Sequence, residues 1–437
     1  MANEIGGDMT EKQFDILIIG GGLVGTSFLC ALEPIIKSHQ LKVGLIESHD
    51  LDKPGDTPPS YDARASALSY GTRLIYEQLG IWKELSDDAM PILDIHVSDR
   101  GHFGQVHLNH NEEHVPALGY VIENFRLGKV LLRRLKAFRD QQLIKVLSPA
   151  EVTGIKPVPE ARMAVEVVTG NDQSDSQGNS QGNSQGSYQN SYQNSYQADL
   201  IILADGGRSS LLDKLNISRK QFDYQQHALV ANVSLDRPHA GIAYERFAGE
   251  GPMALLPLTG TEAGDYRCGL VWTLPNRQID DYMALDEESF MERLQQLFGT
   301  RAGRFVRLGQ RSSYPLSLNV AREQVRPGLV VLGNAAHVMH PVAGQGYNLA
   351  IRDAMALVSN ISDSLAAGKS PGQLSQLLQY VEGQKRDQTM TLDFCDNLVK
   401  LFARKETGVI LARNLGLTGL NVSRRLKTRF ARKAMGL

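Results

Sequence analysis

Residues 14–19 (FDILII) form a short apolar run rich in β-branched side chains that stops on Gly20-Gly21-Gly22, the pattern of a buried strand. A helix-compatible stretch follows from Leu23 to about Lys37, and residues 42–46 (KVGLI) predict a second buried strand ending at Glu47. Strand, helix, strand in that order predicts a βαβ unit with parallel neighbouring strands. Residues 50–60, dense in Pro, Asp and Gly, predict a loop, and 62–79 reads as helix leading into short strands. Residues 163–168 and 198–203 predict a hairpin. Residues 225–275 alternate apolar and polar positions with Gly and Pro punctuation, as antiparallel sheet does. A helix is expected at 287–298, a buried strand at 328–332, and a further helix from about 346 to 365 after a Gly-rich turn. Buried strands suited to one parallel sheet are thus scattered over the first 335 residues, so the alternating region must be inserted between them. The expected fold is α/β: a Rossmann-like nucleotide-binding domain (14–96, 120–170, 198–222 and 320–370), an inserted antiparallel-sheet domain (97–119 and 223–319) and a C-terminal helical region (371–437).

Residues 171–197, built of repeated QGNS and SYQN units, have almost nothing to bury and are expected to be a disordered surface insertion at the hairpin turn. Elsewhere the composition, 437 residues with 42% hydrophobic and 22% charged, is that of an ordinary globular chain of two to three domains. The net charge of −2 conceals an asymmetry: from Lys400 onward ten basic residues accompany one acidic residue, Glu406, so a body near −11 carries a tail near +9. Leu398, Leu401, Phe402, Val409, Ile410, Leu415, Leu420, Leu426 and Phe430 recur among those charges at roughly helical spacing. Two readings stay open: helices packed on the body with a solvated basic face, or a surface that lies on anionic lipid. Cys30, Cys268 and Cys395 are odd in number and widely spaced, which predicts neither disulfides nor a zinc site and favours the cytoplasm. The N-terminus lacks the pattern of a secretory signal, and no apolar run reaches bilayer length, so any membrane contact is expected to be peripheral.

Three segments carry chemistry. Gly20-x-Gly22-x-x-Gly25 follows a strand and opens a helix, with Glu47 at the end of the next strand. That arrangement supplies a tight turn, close backbone approach to a pyrophosphate, close helix-to-strand packing and an acid for a ribose. ADGGRSS at 204–210 follows the strand 200–203, placing Asp205 and Gly206 at the carboxyl edge of a parallel sheet, where ligands bind in such folds. GNAAHVMHPVAGQGYNLAIRDA at 333–354 is a loop of small residues running into a helix at Gly344-Gln345-Gly346. His337 and His340 are three apart, with no Glu between them and no third ligand nearby, so no metal is expected. The same holds for His102, His107, His110 and His114, irregularly spaced in a polar stretch. No nucleophile set of Ser-His-Asp or Cys-His type appears, and no basic-aromatic platform for nucleic acid.

Together, GGGLVG, ADGGRSS and the 333–354 segment, with DARASALS at 62–69, resemble the class A flavoprotein aromatic hydroxylases, and within them the ubiquinone-biosynthesis hydroxylases. The resemblance runs from about Phe14 into the C-terminal region. It implies FAD as cofactor, NAD(P)H as reductant and O2 as co-substrate, with a flavin C4a-hydroperoxide transferring oxygen to a polyprenylated methoxyphenol. Residue by residue, it places Gly20, Gly22 and Gly25 at the FAD pyrophosphate and Glu47 at the adenosine ribose. Arg64 would approach the cofactor, Asp205 and Gly206 would organise the pyrophosphate side, and Asn334 would hold the ribityl chain where most of the superfamily has Asp. Pro341, Gly344, Gln345, Gly346 and Asn348 would pass alongside the isoalloxazine, and His340 and Tyr314 are the candidates for a base near the phenol. Leu212 departs from the Arg common at its position. Residues 244–247 (YERF) and 252–258 (PMALLPL) would form an apolar roof over the ring. A polyprenylated substrate would lie in the bilayer, so on the second reading the basic tail docks the chain peripherally on the inner face of a membrane, and a place in a ubiquinone-biosynthesis assembly stays open. Two rival functions share these motifs: a flavin monooxygenase or epoxidase on another apolar substrate, and a non-catalytic FAD-bearing scaffold.

Overall fold

A computed structural model describes residues 12–53, 55–60, 62, 64–159, 162–169, 192–261, 264–404 and 406–437. At its centre five parallel strands lie in the spatial order Leu329–Val331, Tyr192–Leu203, Lys12–Ile19, Val43–Ile46, Lys145–Leu147. The apolar run at the N-terminus needs no alternation because both its faces are covered. Ile16 and Ile18 pack under the helices Leu23–His39, Asn124–Asp140 and Gln345–Ala366, whereas Leu17 and Ile19 join a second core with the antiparallel hairpin Ala150–Val158 and Arg162–Thr169. The first strand sits mid-sheet, so the chain leaves it in one direction to Val43–Ile46 and returns later on the other side at Tyr192–Leu203. The carboxyl ends of those adjacent strands form the crevice where such sheets bind ligands.

A second sheet of nine strands, mostly antiparallel, is built chiefly from residues 219–321 with Asp94–Asp99 and Gln105–Asn109 at one edge and His337–Val338 at the other. The helices Asn276–Ala284 and Glu287–Phe298 cover one of its faces over Trp272, Phe290 and Phe298. Glu287–Phe298 matches the expected helix; Asp286 caps it by accepting from the Ser289 N–H at 2.8 Å. A small three-stranded sheet, Ala65–Ser69, Gly119–Glu123 and Met90–Ile92, bridges the two large ones.

Three expectations need correcting. Residues 62–79 are not one helix: Ala65–Ser69 pairs with Gly119–Glu123, and the helix Tyr70–Gln78 begins only where the Ser69 hydroxyl accepts from the Thr72 N–H. Pairing has overridden the helix propensity of the Ala-rich stretch. Of the 171–197 insertion, 171–191 lies outside the described residues. The remainder belongs to the strand Tyr192–Leu203, whose Asn194 and Tyr196 pair with Val167 and Val165. Backbone pairing with the hairpin, with Tyr196 buried, gives this polar segment a partner that composition does not reveal. Strand membership also departs from the expected boundaries, since Asp94–Asp99, Arg219–Leu235 and His337–Val338 all pair within the nine-stranded sheet.

The C-terminal region is three helices, Leu374–Ala403, Thr407–Val422 and Arg424–Ala434. The tail packs on the body: Ala431 and Met435 are buried, the Gly71 N–H donates to the Met435 carbonyl at 2.7 Å, and Arg413 pairs with Asp99 at 2.8 Å with both side chains buried. Among the described residues no helix is long and apolar enough to cross a membrane.

Candidate functional site

The three Gly-rich turns meet because their strands are neighbours. Ile19 is level with Leu203, and Leu203 with Val331, so the turns after them leave the same sheet edge. Gly20 adopts φ +105°, and a Cβ there would lie 2.5 Å from the Ala204 carbonyl oxygen. A Cβ on Gly25 would lie 2.0 Å from the Gly20 oxygen, so helix and strand touch backbone to backbone. The Gly22 cap offers no side chain to the first N–H groups of its helix; Ser60 accepts from the Leu23 N–H at 3.2 Å. Glu47 is buried and accepts from the Gly21 N–H at 2.6 Å and the His49 N–H at 3.0 Å, which fixes its carboxylate beside the turn. In the second turn Asp205 accepts from the Gly207 N–H at 2.9 Å and from the Ser209 hydroxyl, and Gly206 takes φ +78°. Leu212, just beyond, is buried in the hairpin core, where an Arg would be unpaired. The third turn presents Asn334 as an exposed side chain, then turns again at Val342–Gly344 with Ala343 at φ +60° and Gly344 at φ +61°.

These turns and the inner face of the nine-stranded sheet enclose a cavity of about 1180 Å³. Every expected site residue except Gly25 lies on its wall. The volume exceeds the roughly 300–1,000 Å³ of most small-molecule pockets, room for a dinucleotide and a second ligand together. Arg64 donates to Asp62 at 2.6 Å, and its guanidinium lies 4.7 Å from the Tyr314 ring centre, so these two expected residues form one cation–π unit. Gln345 donates to the carbonyls of Ala343 and Ala434, tying the third turn to the last helix. Asn348 is saturated: it accepts from the Ser69 N–H and the Thr72 hydroxyl and donates to Ala67 and Gly344. Its amide has no hydrogen bond left for a ligand and instead joins the Ala65–Ser69 strand to the third turn. His340 is buried edge-on to Tyr224 at 5.2 Å and accepts from the Val342 N–H; burial lowers its pKa to about 4, so its ring is neutral.

Residues 13–388 match a family profile described as FAD binding domain. Over 426 residues, 98% of this chain and 90% of its relative, the sequence is 33% identical to ubiquinone hydroxylase UbiL of Rhodospirillum rubrum. The chain belongs to the FAD-dependent ubiquinone-hydroxylase family. It is also 27% identical over 467 residues to the human mitochondrial ubiquinone biosynthesis monooxygenase COQ6, covering 96% of this chain and 92% of that one. In fold it resembles p-nitrophenol 4-monooxygenase PnpA from Pseudomonas putida (TM-score 0.73, 15% identity, 98% and 99% of the two chains). It likewise resembles PqsL, a probable FAD-dependent monooxygenase from Pseudomonas aeruginosa (TM-score 0.69, 19% identity, 93% and 100%). The chain is thus an FAD-dependent monooxygenase; NAD(P)H and O2 are the reductant and oxidant of its class.

The site of this FAD-dependent hydroxylase fits its cofactor on the evidence of its own backbone. The Gly20 and Gly25 contacts exclude a side chain at either position of the first turn, and Gly22 and Gly344 cap their helices with no side chain of their own, so two helix N-termini face the cavity. One residue absent from the expected set stands out. Glu245, on the strand Ile242–Ala248, reaches the cavity wall, where burial raises its pKa to about 7 against a hydrogen bond from Ala343. The YERF segment is therefore more than an apolar roof, since strand alternation puts Ala243, Glu245 and Phe247 on one face.

Proposed function

We propose that this chain hydroxylates the ring of a polyprenylated methoxyphenol in ubiquinone biosynthesis. The observation that carries the reading is one cavity running from the three glycine turns, across an apolar sheet wall (Val97, Ala254, Leu256, Val271), to Gly416, Leu417, Leu420 and Phe430 of the last two helices. A ring held near the turns would leave an apolar tail room along that far wall. FAD, when bound, supplies the reduction of O2 and the oxygen that reaches the ring. The chain's own residues bind and orient. The backbone of Gly20, Gly22 and Gly206 approaches the pyrophosphate, Glu47 accepts from the ribose hydroxyls, and Asn334 offers a neutral amide to the ribityl chain. The helix beginning at Gln345 directs its free N–H groups and positive end at negative charge on the reduced ring. Gly25 acts behind this surface by closing helix on strand, and Asn348, on the wall, fixes the third turn. Arg64 and Tyr314 line the cavity as a cation–π pair, and Pro341 leads into the bend Val342–Gly344 of the third turn. His340, neutral and packed on Tyr224, props that turn and is too weak a base for a phenol, whose pKa is about 10 for a tyrosine-like hydroxyl.

The test offers purified, FAD-loaded protein a prenylated methoxyphenol and a prenylated alkene side by side, with NAD(P)H and O2. A hydroxylated phenol is the expected product; an epoxide, or peroxide with no organic product, refutes the assignment.

The same helices support a membrane reading. Leu411, Leu415, Val422 and Leu426 are exposed on their outer side, next to exposed Arg424, Arg425 and Arg429. We place this face against anionic lipid, where each nearby cation adds about 1 kcal/mol. Deleting 405 onward would remove the cavity wall as well, so the cleaner variant reverses the charge of Arg424, Arg425 and Arg429. It should abolish salt-sensitive binding to phosphatidylglycerol vesicles, and unchanged binding contradicts the placement.

A further inference from the structure

Among the described residues, Glu245 is the one carboxyl that the nine-stranded sheet contributes to the cavity wall. Its ladder partners on the two sides are Val97 and Ala254, and its same-face neighbours on its own strand are Ala243 and Phe247, all apolar and all on the cavity wall. A carboxylate in such surroundings is costly unless something uses it, because desolvation penalises the charged form. The Ala343 N–H, within the turn that opens the helix at Gln345, lies near enough to favour its charged form. That contact places the carboxyl between the apolar wall and the turn proposed to pass the flavin, where a substrate ring would lie. The charged and titratable groups around it are occupied or neutral. On the helix Leu374–Ala403, Cys395 is pushed up to about 12 and Asp396 accepts from Tyr224. Arg413 is bound to Asp99, Arg246 donates to Leu297 and Ser98, and His340 is neutral. None of them compensates the Glu245 charge.

We propose that Glu245 is the proton acceptor for the substrate's phenol hydroxyl during hydroxylation, a role that rests on the phenol reading above. The phenol O–H bond breaks, its proton goes to the Glu245 carboxylate, and the electron pair stays on the phenol oxygen. That raises electron density at the ring carbons ortho and para to it, one of which takes the oxygen atom. The oxygen comes from O2 with two electrons from NAD(P)H, and the second oxygen leaves as water. When the attacked carbon releases its proton and the ring regains aromaticity, Glu245 returns its own proton to the phenol oxygen or to solvent. Burial that raises the carboxyl towards 7 makes it a better base than an exposed glutamate and still leaves it ionised above neutrality.

The test measures hydroxylated product by FAD-loaded protein from pH 5.5 to 8.5, with a short-chain prenylated methoxyphenol as the probe. Wild type should rise through a midpoint near 7 to a plateau, because the reaction needs the unprotonated carboxyl. Glu245→Gln keeps the shape and the acceptor for Ala343 but cannot take a proton. It should lose roughly 100-fold or more in product rate at pH 8, keep its flavin, and lose the inflection. Glu245→Asp should recover part of the rate and retain the inflection. A wild-type profile flat between pH 6 and 8 overturns the proposal without any variant. So does Glu245→Gln turning over within about threefold of wild type, or losing its flavin, which assigns the side chain to holding the turn. If wild type itself makes no hydroxylated phenol, the substrate reading fails rather than this one.

Discussion

Removing the Asp99 carboxylate isolates one of the contacts that hold the last two helices over the cavity. Asp99 is 5% exposed; one oxygen accepts from Arg413 Nε at 2.8 Å and from the Asn414 amide at 3.0 Å. Asn414 in turn accepts from the Gly104 N–H at 2.7 Å, and Arg413 also donates to the Arg404 carbonyl at 3.0 Å. Asp99→Ala leaves the buried guanidinium without its counter-charge, and breaking one side of such a pair costs about 3–5 kcal/mol. The cost falls on a local opening, since the helix Thr407–Val422 has one buried residue, Asn414, and can lift without disturbing the parallel sheet. At about 1.4 kcal/mol per factor of ten, even the lower bound speeds amide exchange in 407–434 by roughly 100-fold. Hydrogen exchange read by mass spectrometry should show this acceleration in peptides from 407–434 and none in those from 12–46. Asp99→Ala combined with Arg413→Met should recover most of the protection, because the penalty lies in the stranded charge. Unchanged exchange in 407–434, or equal acceleration everywhere, refutes the local-lock argument.

Gly25→Ala forces a Cβ to 2.0 Å from a backbone oxygen that no rotamer change can move, so the first turn must open by about 1 Å or more to reach ordinary contact. The flavin-to-protein ratio of the purified variant should fall at least tenfold, and full retention of flavin would show that the turn does not need this contact. His340 gives an acid sensitivity of known sign. Its folded pKa, about 4, lies below the unfolded value of about 6.5, so only the unfolded chain takes up a proton between them and stability falls as pH drops through that window. Between pH 7.5 and 5 the loss is about 2 kcal/mol. Urea midpoints for wild type and His340→Asn at the two pH values should differ in slope by that amount, and parallel shifts contradict the assignment.

The parallel sheet and its turns were readable because their signals are local. Each buried strand is a continuous apolar run, and each turn has glycines where a Cβ would strike backbone, as at Gly20 and Gly25. What stayed hidden depends on partners distant in sequence. Ala65–Ser69 is a strand only because Gly119–Glu123 lies beside it, and the Tyr192 segment is ordered by a hairpin more than twenty residues upstream. Asn348 sits inside the 333–354 motif, yet its four hydrogen bonds all go to protein.

Helical spacing of apolar and basic residues left the tail with two readings, packed on the body or laid on lipid, and the helix Thr407–Val422 has features of both. Leu417 and Leu420 face the cavity while Leu411, Leu415 and Val422 are 52%, 57% and 79% exposed, so the helix is apolar on two sides. A helix of that kind is stable in water only at the cost of its outer leucines, unless a second apolar phase covers them. The inner side has the cavity, where a prenyl tail would lie; the outer side, flanked by Arg424 and Arg425, has the arrangement of an interfacial helix. Substrate and membrane would then meet on opposite sides of one helix, which would let an apolar tail pass from one to the other with little exposure to water.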